Sequence, residues 1–366
     1  MHRAPGPSAP PFCPNPSCRF HLRDRHLWRF VKLGFYSRTI PPYRVQRYRC
    51  DTCRRNFGDQ TFRTTYWLHR PELLVPVFWR LNACSGFRQI AREAKASPST
   101  IARLSDRLGR HALLFHERQR PKGPLTEPLA LDGFESFEFS QYYPTSWHVA
   151  VGQGSHFFYG FTDSECRRRG TMTARQKARR AALEARFGRP DPRSIEKEVA
   201  ALLTIVAGPS QSLELHTDEH QSYPRAVRKL AGLAVVHRTI SSRAARTPRN
   251  PLFAINLLDL LIRHNGANHK RETVAFSKRR VSAALRLAAF LVWRNWVQPF
   301  SERRRGPTPA MQLGLAERRL EPREVLARRL FVTRSRLPER WQDYYWRRLP
   351  TRAIPSGVSH VRRYAA

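Results

Sequence analysis

The stretch SLELHTDEHQSYPRAV, residues 212–227, decides how the chain is read. Residues 213–215 read as a buried strand. The strand stops at the acidic pair Asp218 and Glu219, passes a polar turn, and gives way to a basic helix that begins near Pro224. An acidic strand tip stands out because the chain carries 66 Lys and Arg against 28 Asp and Glu, a formal net charge of +38. A carboxylate there either meets other carboxylates or serves alone as a turn or cap residue.

Two further acids occupy comparable places. Asp132 ends the apolar run of LALDGFESFEF (129–139). Asp259 sits among leucines in PLFAINLLDLLIRH (251–264), which reads as a helix with Pro251 in its first turn and a wide apolar face. WHVAVG (147–152), HFFYGFT (156–162) and LAVVHRTI (233–240) read as strands. IEKEVAALLTIVA (195–207) and roughly 278–297 read as helices. The order is strand, strand, strand, helix, strand, helix, strand, helix. It puts Asp132 and Asp218 near neighbouring strand ends, with Asp259 on a helix that packs beside them. Three converging carboxylates repel one another unless a cation sits between them. Two magnesium ions would neutralise them and activate a water or 3′-hydroxyl for phosphodiester displacement. Glu135, Glu138 and Glu219 are reserve candidates, with Glu138 read as a solvated strand residue. Taken singly, Asp132 and Asp218 fit turns, and Asp259 fits an ion pair with Arg263 one helical turn on.

Upstream lie modules of a different kind. Residues 1–12 are a Pro-rich leader without an apolar core for a signal peptide. Over 13–65, Cys13 and Cys18 form one pair and Cys50 and Cys53 a second. Two such knuckles supply the four thiolates of a tetrahedral zinc site, a zinc ribbon. His21 and His26 are spare. Residues 66–118 read as helices, and FRQIAREAKASPSTIARLSDRL (87–108) has helix-turn-helix grammar. Ser97 caps the second helix, Pro98 takes its first position, and Ile101, Leu104 and Leu108 face inward. Ser99, Thr100, Arg103 and Arg107 are then expected outward, where a recognition helix meets a major groove. An ordinary helical hairpin shares this pattern. A Pro- and Lys-rich linker, 118–128, marks a boundary before a core spanning 119–298. That core carries a basic helical insertion at 165–193, and a basic tail follows at 299–366.

The hydrophobic fraction, 41%, is that of a globular chain. No stretch is long and uncharged enough to span a bilayer, so no membrane partner is expected. The reading is an intracellular protein in a reducing compartment, where paired cysteines bind metal in preference to forming disulfides. Excess arginine suits phosphate oxygens, and nucleic acid is the leading partner.

On these residues the chain resembles the DDE/DDD transposases of bacterial insertion sequences. The likeness rests on LALDGFESFEF around Asp132, HTDEHQSYP around Asp218, and NPLFAINLLDLLIRHNGANHKRETVAFSKRR at 250–280. RETVAFSK is similar to the R-K-T-x-x-F-S-K ending of transposases from the smallest elements, which also carry a zinc knuckle and a helix-turn-helix upstream. The resemblance covers most of 13–298. It implies an α/β fold: an RNase H-like mixed sheet flanked by helices, preceded by the zinc ribbon and helix-turn-helix. It implies cleavage and strand transfer of double-stranded DNA, at element ends and target, by a homo-oligomer with magnesium in a bacterial cytoplasm at the nucleoid. Arg263, Arg271, His264 and His269 would contact the phosphate backbone. The usual glutamate aligns with Asn256, so Asp259, one turn later, is assigned as the third acid. Two competing readings stay open, an inactive DNA-binding relative and a nuclease on the same fold.

Overall fold

The computed structural model describes residues 9–22, 25–241, 243–301, 306–332, 336–354 and 364–365; the first eight residues of the expected leader lie outside them. At the N-terminal end β1 (Phe30–Ser37), β2 (Arg44–Cys50) and β3 (Asn56–Gly58) form an antiparallel sheet in that order. It has its own small core, in which Phe12, Trp28, Tyr48, Phe57 and Phe62 surround the cysteines.

The main sheet is mixed. Strands β4 (Leu129–Phe137), β5 (Pro144–Gly152), β6 (Phe158–Glu165), β7 (Ser212–Thr217) and β8 (Ala234–Thr239) lie in the order β6-β5-β4-β7-β8. β4, β5 and β6 are antiparallel neighbours joined by short turns. β7 and β8 run parallel to β4 and are reached through helices, as parallel pairing requires. The connection from β6 to β7 holds α4 (Ala174–Phe187), inside the expected insertion, and α5 (Ser194–Ala207). The connection from β7 to β8 holds α6 (Ser222–Val227). β5 is buried from Thr145 to Gly152, which explains why WHVAVG shows no exposed polar alternation.

Around the sheet lie α1 (Leu74–Leu81), α2 (Phe87–Glu93), α3 (Pro98–Gln119), α7 (Phe253–Asn265) and α8 (Arg280–Val292), which passes into a π-helical turn (Trp293–Val297). α3 begins as the sequence suggests: Ser97 Oγ accepts the Thr100 N–H at 3.1 Å, and Pro98 is its first residue. It then runs 22 residues, and every position from Leu104 to Glu117 is buried. It crosses α8 so closely that a Cβ on Gly109 would lie 2.2 Å from the Leu285 carbonyl oxygen. This corrects one expectation. Arg107 is not an outward residue of a recognition helix. It is buried, and its Nη1 donates to the carbonyls of Thr64 and Tyr66 at 2.7 and 2.6 Å. From Leu104 to Glu117 the helix is buried on all sides, its charged residues included, so its outward face ends near Arg103.

Segments read as separate modules share one hydrophobic cluster. Phe78, Ile90 and Leu104 from 66–118, and Trp341 and Tyr344 from the basic tail, belong to the same cluster as Leu131 and Val149 of the sheet. The tail forms α9 (Pro309–Gln312), α10 (Pro322–Ala327) and α11 (Glu339–Trp346). Trp341 donates its indole N–H to the Phe161 carbonyl at 2.9 Å and lies over Gly160, where a Cβ would be 2.8 Å from the ring. Glu138 needs a second correction, because it is buried rather than solvated. With Asp163 and Glu165 it surrounds Arg280, whose Nε lies 3.3 Å from Asp163 Oδ2 and whose Nη1 lies 2.9 Å from Glu165 Oε1. Arg340 of α11 binds Asp163 from the other side at 3.0 Å. No described helix is long and apolar enough to cross a membrane.

The α3–α8 crossing yields a stability test. Gly109→Ala places a methyl where Leu285 already lies, so calorimetry should show a loss of about 1–3 kcal/mol, the usual cost of overpacking. Unchanged stability would mean that the two helices are not in this contact.

Candidate functional site

β4 and β7 share two register pairs, Leu129 with Leu215 and Ala130 with His216. Asp132 and Asp218 each lie two residues further on, so the ladder carries both acids to the same level at the carboxyl end of the parallel pair. The pairing ends before it reaches them. β4 continues against β5, where Asp132 is opposite Val149. The other strand ends at Thr217, and the chain turns toward α6. The space that opens there lies where the sheet changes from antiparallel to parallel, and open α/β sheets bind ligands at such switch points.

Tyr223 of α6 borders this hollow. It is buried, and its hydroxyl donates to Asp132 Oδ1 at 3.4 Å. Burial, then the negative charges of Asp132 and Asp218 and, more weakly, Asp259, hold its ionisation far above the usual phenol range. One hydroxyl therefore senses all three sequence-assigned carboxylates. Asp132 Oδ1 also accepts the Gly133 N–H at 2.7 Å. Burial raises its carboxyl, the Gly133 bond opposes this, and the Asp218 charge adds to the rise. Asp218 Oδ1 accepts the His220 N–H at 2.9 Å, so Asp218 also forms the turn that ends its strand.

Asp259, from the middle of α7, is half-buried, and its Oδ1 is a buried atom without a hydrogen-bond partner. Burial and the Asp132 charge push its carboxyl up to about 7, against the opposing pull of Arg263 and Arg271. Asn256 lies one turn earlier on the helix, also half-buried. Among the described residues, the acids do not form a set of three ligand atoms all within 4.8 Å of one another. The acids are thus not gathered as tightly as the ligands of a single-ion cage. Its chemistry still suits a divalent cation: hard oxygens, an orphaned buried carboxylate atom, and repulsion that a positive charge would relieve.

The assigned cations divide. Arg263 stacks over the Phe134 ring at 5.4 Å and donates to the His269 carbonyl at 3.3 Å. Arg271 is exposed, as is His264. His269 is buried, and burial lowers it to about 3, so it is a neutral core group rather than a phosphate contact. Ser99 and Arg103 are exposed and Thr100 half-exposed at the start of α3. Glu135 and Glu219 are exposed on the same side of their acids in the chain. Tyr223 was overlooked in the sequence, although its place five residues after Asp218 was a usable signal.

The four cysteines form the one set of at least three ligand atoms within 4.8 Å among the described residues. Cys13 Sγ lies 3.6 Å from Cys53 Sγ, and Cys18 Sγ lies 3.9 Å from Cys50 Sγ. A disulfide would need about 2.05 Å. Tetrahedral zinc with Zn–S bonds of about 2.3 Å sets its sulfurs roughly 3.8 Å apart. Burial raises the Cys13 and Cys18 thiols. Burial would also raise Cys50, but the N–H groups of Cys53 and Thr52 and the Trp28 indole outweigh it and bring it down to about 7. The cluster fits a zinc-sized cation, which would replace the protons that these conflicting demands leave poorly placed. His21 points its Nδ1 to the Cys13 carbonyl at 2.8 Å and stays outside the set.

No protein-family model matches the chain, and no curated protein matches it. Among solved structures, it is similar to a chain from the cryo-electron microscopy structure of the simian T-cell lymphotropic virus intasome in complex with PP2A regulatory subunit B56 gamma. Identity is 15% over 56% of this chain and 61% of that chain, with a TM-score of 0.23. The match spans less than two thirds of that chain, and a superposition of this quality assigns neither fold nor function.

Purified protein should carry one zinc per chain by mass-spectrometric metal analysis, and Cys50→Ser with Cys53→Ser should lose it. Zinc retained by that variant would contradict the cluster's role. A second test uses the Asp259 carboxyl, whose folded pKa of about 7 lies above the unfolded value of about 3.9. The folded state holds its proton more tightly, so the ionisation cost is absent below the unfolded pKa and grows as pH rises to about 7. In metal-free buffer, Asp259→Asn should therefore raise the melting temperature more at pH 8 than at pH 5. An equal shift at both would show that Asp259 is not a strained acid.

Proposed function

We propose that the chain is a transposase, with an RNase H-like core that cuts and joins DNA at Asp132, Asp218 and Asp259. The observation that carries this reading is the gathering of the three acids around Tyr223 in a chain of net charge +38. The charge suits a polyanionic substrate, and the acidic hollow suits the metal that such a reaction needs. Magnesium, when bound there, supplies charge neutralisation and an activated water or 3′-hydroxyl.

The chain's own groups have separable tasks. Asp132, held by Tyr223 and Gly133, is the central carboxylate. Asp218 flanks it from β7, and Asp259 offers its unpartnered Oδ1 from α7. Arg263 and Arg271 sit close enough to counter Asp259 and to meet the phosphates of a bound strand. Ser99, Thr100 and Arg103 form the reading edge of a helix-turn-helix at the start of α3. The four-cysteine ribbon is a zinc module for end binding. Arg44 stacks over Phe35 on its exposed sheet face at 4.1 Å, a combination that suits nucleic acid. Joining two element ends calls for a homo-oligomer on DNA, working at the bacterial nucleoid.

Asn256, in place of a carboxylate, favours a second reading in which the chain binds DNA without cutting it. One pair of variants separates the two. With magnesium, Asp259→Ala should abolish cleavage of element-end DNA while leaving end binding intact. Asn256→Ala should stay within about tenfold of the parent, roughly 1.4 kcal/mol of transition-state stabilisation. No cleavage by the parent chain on any such end would favour the inactive reading. Normal cutting by Asp259→Ala would move the third acid elsewhere.

A further inference from the structure

We propose that the cavity beneath the insertion helix α4 seats the phosphates of a single DNA strand that leads into the carboxylate hollow. The proposal rests on reading that hollow as a phosphodiester-processing centre. The cavity has a volume of about 300 Å³ and is lined by Arg167, Arg168, Arg169, Arg180, Arg189 and His220. It cannot admit a duplex, whose major groove alone is about 12 Å wide. It is large enough for the backbone of one strand.

Its charge is unbalanced by construction. Residues 165–193 hold ten Arg and Lys against three acids. Glu184 is taken up by Arg167, at 2.8 and 3.0 Å, and by Arg180 at 3.6 Å. Asp191 binds Lys197 at 2.7 Å. Among the described residues, Arg168, Arg169 and Arg189 have no ion-pair partner within 4.0 Å. Arg168 stacks on the Tyr142 ring at 4.6 Å, and its Nη1 is buried with no hydrogen-bond partner. An unsatisfied buried guanidinium N–H is costly, and a phosphate oxygen answers both the hydrogen bond and the charge.

The cavity is also built in place. Thr173 and Gln176 cap α4 reciprocally at 3.2 and 3.1 Å. Arg180 donates to the Arg168 carbonyl at 2.9 Å, and Arg352 donates to the Gly188 carbonyl at 2.6 Å. The Arg180 bond ties the middle of the helix to the segment before it, and the Arg352 bond ties its C-terminal end to the tail, so less ordering remains to be done on binding. One lining residue, His220, joins the cavity to the strand ends. His220 gives its backbone N–H to Asp218 at the end of β7, whereas Glu135, three residues beyond Asp132 on β4, lies on the opposite face of the sheet from that acid. At the start of α5, a second, open depression lined by Arg193, Arg225, Arg228, Lys229 and Glu196, the last paired with Lys229 at 2.7 Å, extends the basic surface.

The test compares full-length protein with Arg169→Ala/Arg189→Ala, two exposed positions, with thermal melting as the control for folding. Probes are a blunt duplex and the same duplex with a single-stranded flank of about 10 nucleotides. Binding is read without added magnesium, which leaves a structural zinc in place, so its outcome is separate from whether the chain cuts DNA. The parent should bind the flanked probe more tightly. The variant should lose that advantage, with its salt slope on the flanked probe shallower by about 1.4, for two phosphate contacts on a single strand. Arg169→Lys/Arg189→Lys should keep most of the slope. The proposal is overturned if the alanine variant keeps the flank advantage, or if it loses blunt binding equally. It is also overturned if inorganic phosphate at constant ionic strength displaces the flank, which would mark a small-anion pocket.

Discussion

The candidate site depends on the parallel register of β4 and β7. Leu129 opposite Leu215 and Ala130 opposite His216 leave Asp132 and Asp218 at one level, and a slip of one residue would turn either acid to the other face of the sheet. The same pairing is short enough to end before the acids. That end makes room for Tyr223 and brings Asp259 of α7 within electrostatic reach of Asp132. A longer ladder would have closed the hollow with backbone hydrogen bonds. Register and early termination together turn three scattered carboxylates into neighbours.

The chain contains two acidic clusters that are handled in opposite ways. Around Asp163, each buried carboxylate faces a guanidinium from Arg280, Arg340 or Arg352, and Tyr344 donates its hydroxyl as well. That cluster ties the N-terminus of α8 and the C-terminal α11 to the edge strand β6. Breaking such a buried pair costs about 3–5 kcal/mol, because it strands a charge away from water. Around Asp132 the acids face one another, and Asp259 keeps an unpartnered oxygen. The first arrangement stabilises the fold, whereas the second weakens it. Buried acids perturbed in this way mark Asp132 and Asp259 as candidate site residues.

The long helix α3 connects the N-terminal part of the chain to the sheet. Its exposed start carries Ser97, Ser99 and Arg103, while its remaining turns are packed against α8 at a glycine contact. A surface presented by such a helix cannot swing independently of the core. Any DNA held at Ser99 and Arg103 would therefore be held at a fixed distance from the strand ends. The four-cysteine segment differs, because its aromatic core around the cysteines is a cluster of its own.

Local patterns in the sequence were sufficient for most elements. Short apolar and β-rich runs placed β4 to β8, amphipathic spacing placed α5, Ser97 and Pro98 marked the start of α3, and paired cysteines announced the thiol cluster, because each depends on residues close together in the chain. The acids Asp132, Asp218 and Asp259 could be nominated for the same reason, each by its place at a strand end or on a helix. Their mutual arrangement could not, since it rests on pairing between strands more than eighty residues apart. Arg107, Glu138 and His269 were misjudged for a related reason: charge suggests water, and only distant partners reveal burial. The tail from residue 299 lacked a readable period, yet Trp341 and Tyr344 fill space left by the sheet. The sequence by itself determined the elements, the basic charge and the metal-ligand chemistry, all properties of short segments. The tertiary structure decided which carboxylates meet, which arginines are buried and where the basic cavity opens, because those depend on packing between segments far apart in the chain.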